Sequence, residues 1–525
     1  MNKEKILIFD STLRDGAQGE GISYSVSDKL SIVRALDDFG VDYIEAGNPG
    51  SNPKDIAFFR EVRGDTLKHA RLCAFGSTHK KGATPESDPN VLSLLRAETP
   101  AVSLFGKAWD LHVHKVLMTS LEENLDLVGN TVRYFHRQGR EVIFDAEHFF
   151  DGLRDNPEYT LKVLEVALQA GASCLCLCDT NGGTMPMQVY KDVQLVRERF
   201  PTAQIGIHCH NDTGCAVASS VMAVEAGARQ VQGTFIGTGE RCGNADLSVI
   251  IPNLQLKMGY DCVDDSLQDL LQTVRQVTEI SNLQVPGNTP YVGASAFAHK
   301  GGMHIDGVSK LSSSFEHISP ETVGNTRRFL MSEVSGRSMV MRKLATVAPE
   351  LTRDSEEVAA ILARVKELEN EGYQFEAADA SFELMARRTL GRFEPHFDTI
   401  MYRTTGEYPP PAGDNSASAI ISLVVDGREE TTASMGNGPV HALDMALRKA
   451  LNVFYPCLSQ VRLTDYKVRV LTGEEATASK VRVLIESTDG EHLWTTVGVG
   501  TDVVAASWEA LCDSLEYMLY RRKGE

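Results

Sequence analysis

The chain has 525 residues, 42% of them hydrophobic and 23% charged, with a formal net charge of −19. That length and composition exclude a single small domain and a disordered chain, and the acidic balance, with no extended basic stripe, excludes nucleic acid as a partner. No stretch approaches the ~18 apolar residues of a membrane span. The apolar run behind Met1-Asn2-Lys3-Glu4-Lys5 stops at Asp10, too short for a signal peptide, so a cytoplasmic protein is expected. Its ten cysteines lack paired spacing and read as reduced thiols.

Eight short β-branched or apolar runs, at 6–12, 43–47, 71–75, 101–106, 141–149, 174–180, 204–212 and 229–236, read as strands. Helical patterns follow them, such as 27–39, 157–170 and 214–226, closed by Gly40, Gly171 and Gly227. This alternation over residues 1–265 predicts an α/β fold, a (β/α)8 TIM barrel, with an open doubly wound sheet as the alternative. Cys174, Cys176 and Cys178 alternate along the sixth strand. They read as small core residues on one face, because a thiolate zinc site usually needs separated CxxC pairs. The loop Gly237 to Asn244 resembles a dinucleotide loop only superficially: Cys242 stands at the third glycine position, and the loop comes eighth instead of first.

Residues 266–395 are expected to form a mostly helical accessory region. Within it, 266–280 reads as a helix, and 354–370 carries a stripe of Val358, Ile361, Leu362, Val365 and Leu368 opposite a solvated charged face. Glu407-Tyr408-Pro409-Pro410-Pro411-Ala412-Gly413-Asp414 reads as linker. Residues 396–525 then hold an internal repeat of strand, turn, strand and helix, the second copy about 62 residues after the first by the aligned glycines Gly436 and Gly498. Two such copies predict a pseudo-symmetric α+β module that binds a ligand between its halves or dimerises.

A barrel carries its chemistry at the C-terminal ends of its strands. Arg14 and Asp15 follow the first strand, Asp145 and Glu147 end the fifth, Thr180 ends the sixth, and His208 and His210 end the seventh. Side chains alternate along a strand, so His208 and His210 share a face and Cys209 turns away. Taken alone, such a pair is slightly better read as hydrogen-bonded core histidines than as metal ligands. Asp15 after strand one and Asn244 after strand eight shift that balance, since strands one, seven and eight are neighbours in a closed barrel. The four donors form a mixed N/O site suited to Mg²⁺, Mn²⁺ or Zn²⁺, with positions left for substrate. The rival pair His112 and His114 has no comparable oxygen partners and reads as loop structure.

Phe9-Asp10-Ser11-Thr12-Leu13-Arg14-Asp15-Gly16 with Gln18, together with His208-Cys209-His210-Asn211-Asp212 and Gly237 to Asn244, resembles the family of isopropylmalate, homocitrate and citramalate synthases. The resemblance spans essentially the whole chain, with the repeated module similar to their regulatory and dimerisation domain. Phe105 to Asp110, Asp145 to Gly152 and Cys178 to Thr184 look most like the citramalate branch. The resemblance implies condensation of acetyl-CoA with a 2-oxo acid, pyruvate in that branch, followed by thioester hydrolysis. It implies that Arg14 stabilises charge on oxygen, that Thr180 holds the oxo-acid carboxylate, that Asp145 and Glu147 contribute to the substrate pocket, and that His304 helps take a proton from the acetyl methyl. In such relatives the His304 segment enters the barrel of a second subunit, so a homodimer is implied, and the pathway nominates isoleucine as effector. Phe315 departs from the pattern, since many relatives have tyrosine there, and a phenol-assisted step does not carry over. Isopropylmalate synthase chemistry, a CoA-ester lyase and a non-catalytic amino-acid sensor are the alternatives. Lyases of this type end soon after the barrel, whereas roughly 130 further residues here form a separate domain. A sensor would not need the complete set Arg14, Asp15, His208, His210 and Asn244.

Overall fold

The computed structural model describes residues 3–64, 66–330, 337–344, 347–352, 354–408, 416–471, 479–490 and 492–524. Eight parallel strands close into a barrel: β1 (Leu7–Asp10), β2 (Tyr43–Glu45), β3 (Arg71–Ser77), β4 (Ala101–Lys107), β5 (Glu141–Glu147), β6 (Cys174–Asp179), β7 (Gln204–Cys209) and β8 (Gln230–Gly233). β1 pairs with β8 from Leu7 opposite Gln230 to Asp10 opposite Gly233, which makes the sheet a barrel and leaves no doubly wound edge.

Local chemistry explains the alternation. Ser25 and Asp28 form a reciprocal capping box at the start of helix Val26–Phe39, which ends at Gly40 in the left-handed region. Asn156 caps helix Pro157–Ala170, whose first residue is the proline favoured there. Strand residues are buried on both faces, as a parallel sheet under helices requires. On β6, Leu175 and Leu177 join the core between strands and helices, while Cys174, Cys176 and Cys178 pack with Phe9, Tyr43, Cys73 and Ile143 inside the barrel. The alternating cysteines are thus the barrel's inward-facing layer.

Several strands stop earlier than their apolar runs. β5 ends at Glu147 because His148 turns into the left-handed region, and β7 ends at Cys209, one residue before His210. Beyond the barrel, a 3-10 turn (Asp264–Asp269) leads into helix Leu270–Ile280. This compact unit comprises Met1–Phe297 with Ile318–Thr326. No helix among the described residues is long and apolar enough to cross a membrane.

The second unit comprises Ala298–His317 and Arg327–Glu525. Helix Glu356–Glu371 buries Val358, Ile361, Val365 and Leu368, as its stripe predicts. The linker reading at Pro409 to Asp414 lies outside the described residues. The repeat is larger than the sequence pattern: each copy is a three-stranded antiparallel sheet and a helix. The first pairs Asp398–Gly406, Ala417–Val425 and Arg428–Gly436 with helix Pro439–Leu451; the second pairs Arg462–Val470, Val481–Thr488 and Leu493–Gly500 with helix Val503–Gly524. The opening strand of each copy is an almost wholly exposed edge strand; the first has no apolar alternation, while the second alternates only at Tyr466, Val468 and Val470, a short run that sequence reasoning missed. Both carry an irregularity at the same place, between Thr399 and Met401 and between Leu463 and Asp465. The aligned glycines have a packing reason. A Cβ on Gly436 would lie 2.5 Å from the Ala442 nitrogen, and one on Gly498 would lie 2.0 Å from the Ala506 oxygen, so each helix rests directly on strand backbone.

Candidate active site

Beyond β1 the chain turns sharply. Asp10 accepts from the Thr12 amide (3.0 Å) and hydroxyl (2.8 Å), and the amides of Arg14 and Gly16 donate back to the Ser11 carbonyl. Arg14 and Asp15 therefore border a cavity of about 230 Å³ that His208 and His210 also line. Although β7 has ended, His210 forms an isolated bridge with Asn244 of the loop after β8, which carries the alternation one residue further. Cys209 packs outward at 1% exposure, and the two imidazoles lie 5.2 Å apart on the other side.

The donor atoms converge. Asp15 Oδ2 lies 3.6 Å from His208 Nε2 and 4.0 Å from His210 Nε2. Asn244 Nδ2 donates to Asp15 Oδ1 at 3.1 Å and to the Thr238 carbonyl at 2.9 Å, while the buried Asn244 Oδ1 has no hydrogen-bond partner among the described residues. Burial tends to raise the Asp15 carboxyl, but Arg14, both histidines and the Asn244 amide hold it well below the usual carboxylate range. Burial and the nearby His208 push His210 down to about 4 against the pull of Asp15, so its ring is neutral near pH 7. His208 Nδ1 faces Gln232 Oε1 at 3.0 Å; with the proton on that nitrogen, the Nε2 lone pair points at Asp15. A carboxylate and two imidazoles, beside an asparagine whose amide oxygen has no partner among the described residues, are donor types that divalent cations take. The donor set thus fits a divalent metal, and Asp15, His208 and His210 form a group that could hold one.

Two supporting groups were missed by sequence reasoning. Glu45, fully buried at the tip of β2, accepts from Arg14 Nε at 2.5 Å and from the Ser11 hydroxyl. Burial raises its carboxyl, with Arg14 opposing. Arg14 is held at three points: by Glu45, by Asp15 at 2.8 Å through Nη1, and by the Phe75 ring, 3.7 Å below its guanidinium. Burial works against its charge, but Glu45 and Asp15 keep it cationic. Gln232, also fully buried, links His208 to Asp145 through a 3.0 Å hydrogen bond, and Asp145 takes a second from Ser103 at 2.5 Å. Such relays orient ligating histidines. Glu45 did carry a signal, a lone polar residue at the tip of an otherwise apolar strand buried on both faces, whereas Gln232 shares its short strand with Gln230 and offered none.

The remaining expected residues divide. Glu147 lines the cavity, ion-paired with Lys107. Thr180 lines it too, just past β6. Asp145 also borders it, with both oxygens engaged as described. Arg241 pairs with Asp212 (2.9 Å) and donates to the Thr180 carbonyl (2.8 Å), so it ties three loops together. His304 belongs to the second unit, exposed on helix Gly302–Lys310 with its ring stacked on Phe315 at 4.3 Å. His112 and His114 lie on a short helix, Asp110–Lys115, and not in the expected loop.

Residues 5–280 match the HMGL-like family, 291–373 the homocitrate synthase post-HMGL domain-like family and 376–519 the LeuA allosteric (dimerisation) domain. The chain is 52% identical to an (R)-citramalate synthase of Aquifex aeolicus, covering 99% of each chain. It is 48% identical to an (R)-citramalate synthase of Geobacter sulfurreducens, covering 98% of each. A probable 2-isopropylmalate synthase of Methanopyrus kandleri, matched over 99% of each chain, is more distant at 34%.

Proposed function

The chain belongs to the HMGL-like family and, along its whole length, to its (R)-citramalate synthases, and on that premise we propose that it joins acetyl-CoA and pyruvate to give (R)-citramalate and CoA. The acetyl methyl loses a proton, its carbon bonds to the keto carbon of pyruvate, whose oxygen gains a proton, and water then displaces the thiol from the thioester. The whole-length likeness to those synthases carries this reading, and the convergent donors at the barrel mouth agree with it.

Asp15, His208, His210 and Asn244 hold a divalent ion, Mg²⁺, Mn²⁺ or Zn²⁺. When bound it supplies Lewis-acid polarisation of the keto group. Arg14, immobilised by Glu45, Asp15 and Phe75, stabilises negative charge developing on the oxo-acid oxygen without reorganising. The Thr180 hydroxyl holds the substrate carboxylate. Glu147, fixed by Lys107, and Asp145 border the space for the short methyl group. His304 takes part in removing the methyl proton, a step whose high pKa demands close positioning as well as a base.

Thiol release from acetyl-CoA, measured with pyruvate and then with larger 2-oxo acids, tests the substrate. Pyruvate is expected to be fastest. A preference for a branched oxo acid would move the chain to isopropylmalate chemistry, and no release with any oxo acid refutes a synthase.

We assign the three regions 1–265, 266–395 and 396–525 to catalysis, linkage and regulation, the last as a homodimerisation module that binds isoleucine. Rising isoleucine should depress turnover of the full-length enzyme while leucine and valine do not; equal rates at saturating isoleucine sink that assignment. We place the enzyme's work in the reducing cytoplasm, where cysteines without paired spacing stay as thiols.

A further inference from the structure

We propose that His148 is a positioning residue of the oxo-acid pocket. Its ring pins a strained turn whose backbone N–H occupies an acceptor site of the Thr180 hydroxyl, leaving that hydroxyl's proton for the substrate carboxylate. The inference rests on the pyruvate reading and extends it to a residue outside the substrate-lining set.

His148 directly follows Glu147 at the end of β5 and has φ 56° and ψ 37°, a region that residues with side chains adopt reluctantly unless their surroundings hold them there. The surroundings here are specific. The buried imidazole places Nδ1 3.2 Å from Asp151 Oδ2 and packs against the rings of His112, at 4.2 Å, and Trp109, at 5.5 Å. Asp151 Oδ2 also accepts from Asn181 Nδ2 at 2.7 Å, so one carboxylate ties the turn after β5 to the residue following Thr180.

In this conformation the His148 N–H donates to Thr180 Oγ1 at 2.9 Å. The Thr180 carbonyl is held from the other side by Arg241, so the residue is fixed at both polar ends. A hydroxyl has one proton to donate. Among the described residues nothing accepts that proton, and Thr180 borders the cavity. A hydroxyl that already receives an N–H turns its donor outward, which is the polarity an anionic carboxylate requires. A left-handed residue next to Glu147 thereby orients the hydroxyl of Thr180.

The experiment compares His148→Ala, His148→Asn, Thr180→Val and the double variant His148→Ala/Thr180→Val with wild type. It records KM for pyruvate and for acetyl-CoA, bound metal and Tm. His148→Ala should raise the pyruvate KM about tenfold, the worth of one hydrogen bond to a charged group. Its acetyl-CoA KM and metal content should stay near wild type. His148→Asn should recover most of the loss, because asparagine tolerates the left-handed region and offers an amide N–H to Asp151. The double variant should be no worse than Thr180→Val, since both changes remove one interaction. A wild-type pyruvate KM in His148→Ala overturns the proposal. So does a joint shift of both KM values and Tm that asparagine does not relieve, which is the mark of a merely structural role. If the wild type releases CoA with a different 2-oxo acid and not with pyruvate, only the substrate reading falls, and the same ranking is read with that acid. No release with any oxo acid sinks both.

Discussion

Replacing His210 by alanine should remove bound divalent metal and CoA release together. The imidazole supplies one of three donor atoms within reach of a single point, and its neutral form near pH 7 leaves a lone pair for a cation. Alanine leaves Asp15, His208 and Asn244, three donors of which only one is an imidazole, too few to retain the ion at limiting concentration. Turnover should fall at least about 100-fold, the upper end of what loss of a supporting partner alone costs a metal site. Elemental analysis after dialysis, beside turnover, makes the comparison. His114→Ala, in the other histidine pair and exposed on its short helix, is the control that should leave both unchanged. Full metal stoichiometry in His210→Ala would contradict the assignment.

Arg14→Lys should cost almost as much, although it keeps the charge. The guanidinium reaches Glu45 through Nε and Asp15 through Nη1 while lying flat on Phe75. A lysine ammonium is a single point on a flexible stem and cannot meet both carboxylates and the ring in one pose. We expect kcat to fall about 10²–10³-fold, as when an oriented transition-state donor is lost, with a smaller change in KM. Glu45, buried, then loses the oriented Nε–H of Arg14 that offsets the burial raising its carboxyl. The Tm should drop modestly for that reason. A kcat within tenfold of wild type would show that charge alone suffices and that the three-point hold is incidental.

The legible parts of this protein were those written in local periodicity. Strand-helix alternation predicts the barrel because each segment buries a stripe or both faces according to its own pattern, and the glycines after Phe39, Ala170 and Ala226 mark helix ends through their own backbone freedom. The meeting of Asp15, His208, His210 and Asn244 at the barrel mouth was legible for a related reason. Residue alternation put His208 and His210 on one side, and barrel closure made the loops after β1 and β8 their neighbours, so Asp15 and Asn244 followed from topology. The same logic failed where a strand had no buried face. Asp398–Gly406 is an edge strand with almost every side chain in solvent and no alternation to read, and Arg462–Val470, equally exposed, alternates only over Tyr466, Val468 and Val470, which was overlooked.

What only the tertiary structure decided is which polar groups meet at the barrel mouth. Glu45 reaches Arg14 across 31 residues, and Gln232 reaches Asp145 across 87, pairings that sequence spacing does not reveal. The bend at His148 belongs to the same class: its neighbours Trp109, His112 and Thr180 arrive from the ends of β4 and β6, and they hold a backbone conformation that histidine has little intrinsic preference for. Local sequence specified the frame because helices and strands are short-range structures. The orientation of each group within the site depends on long-range contacts, which exist only once the barrel has closed.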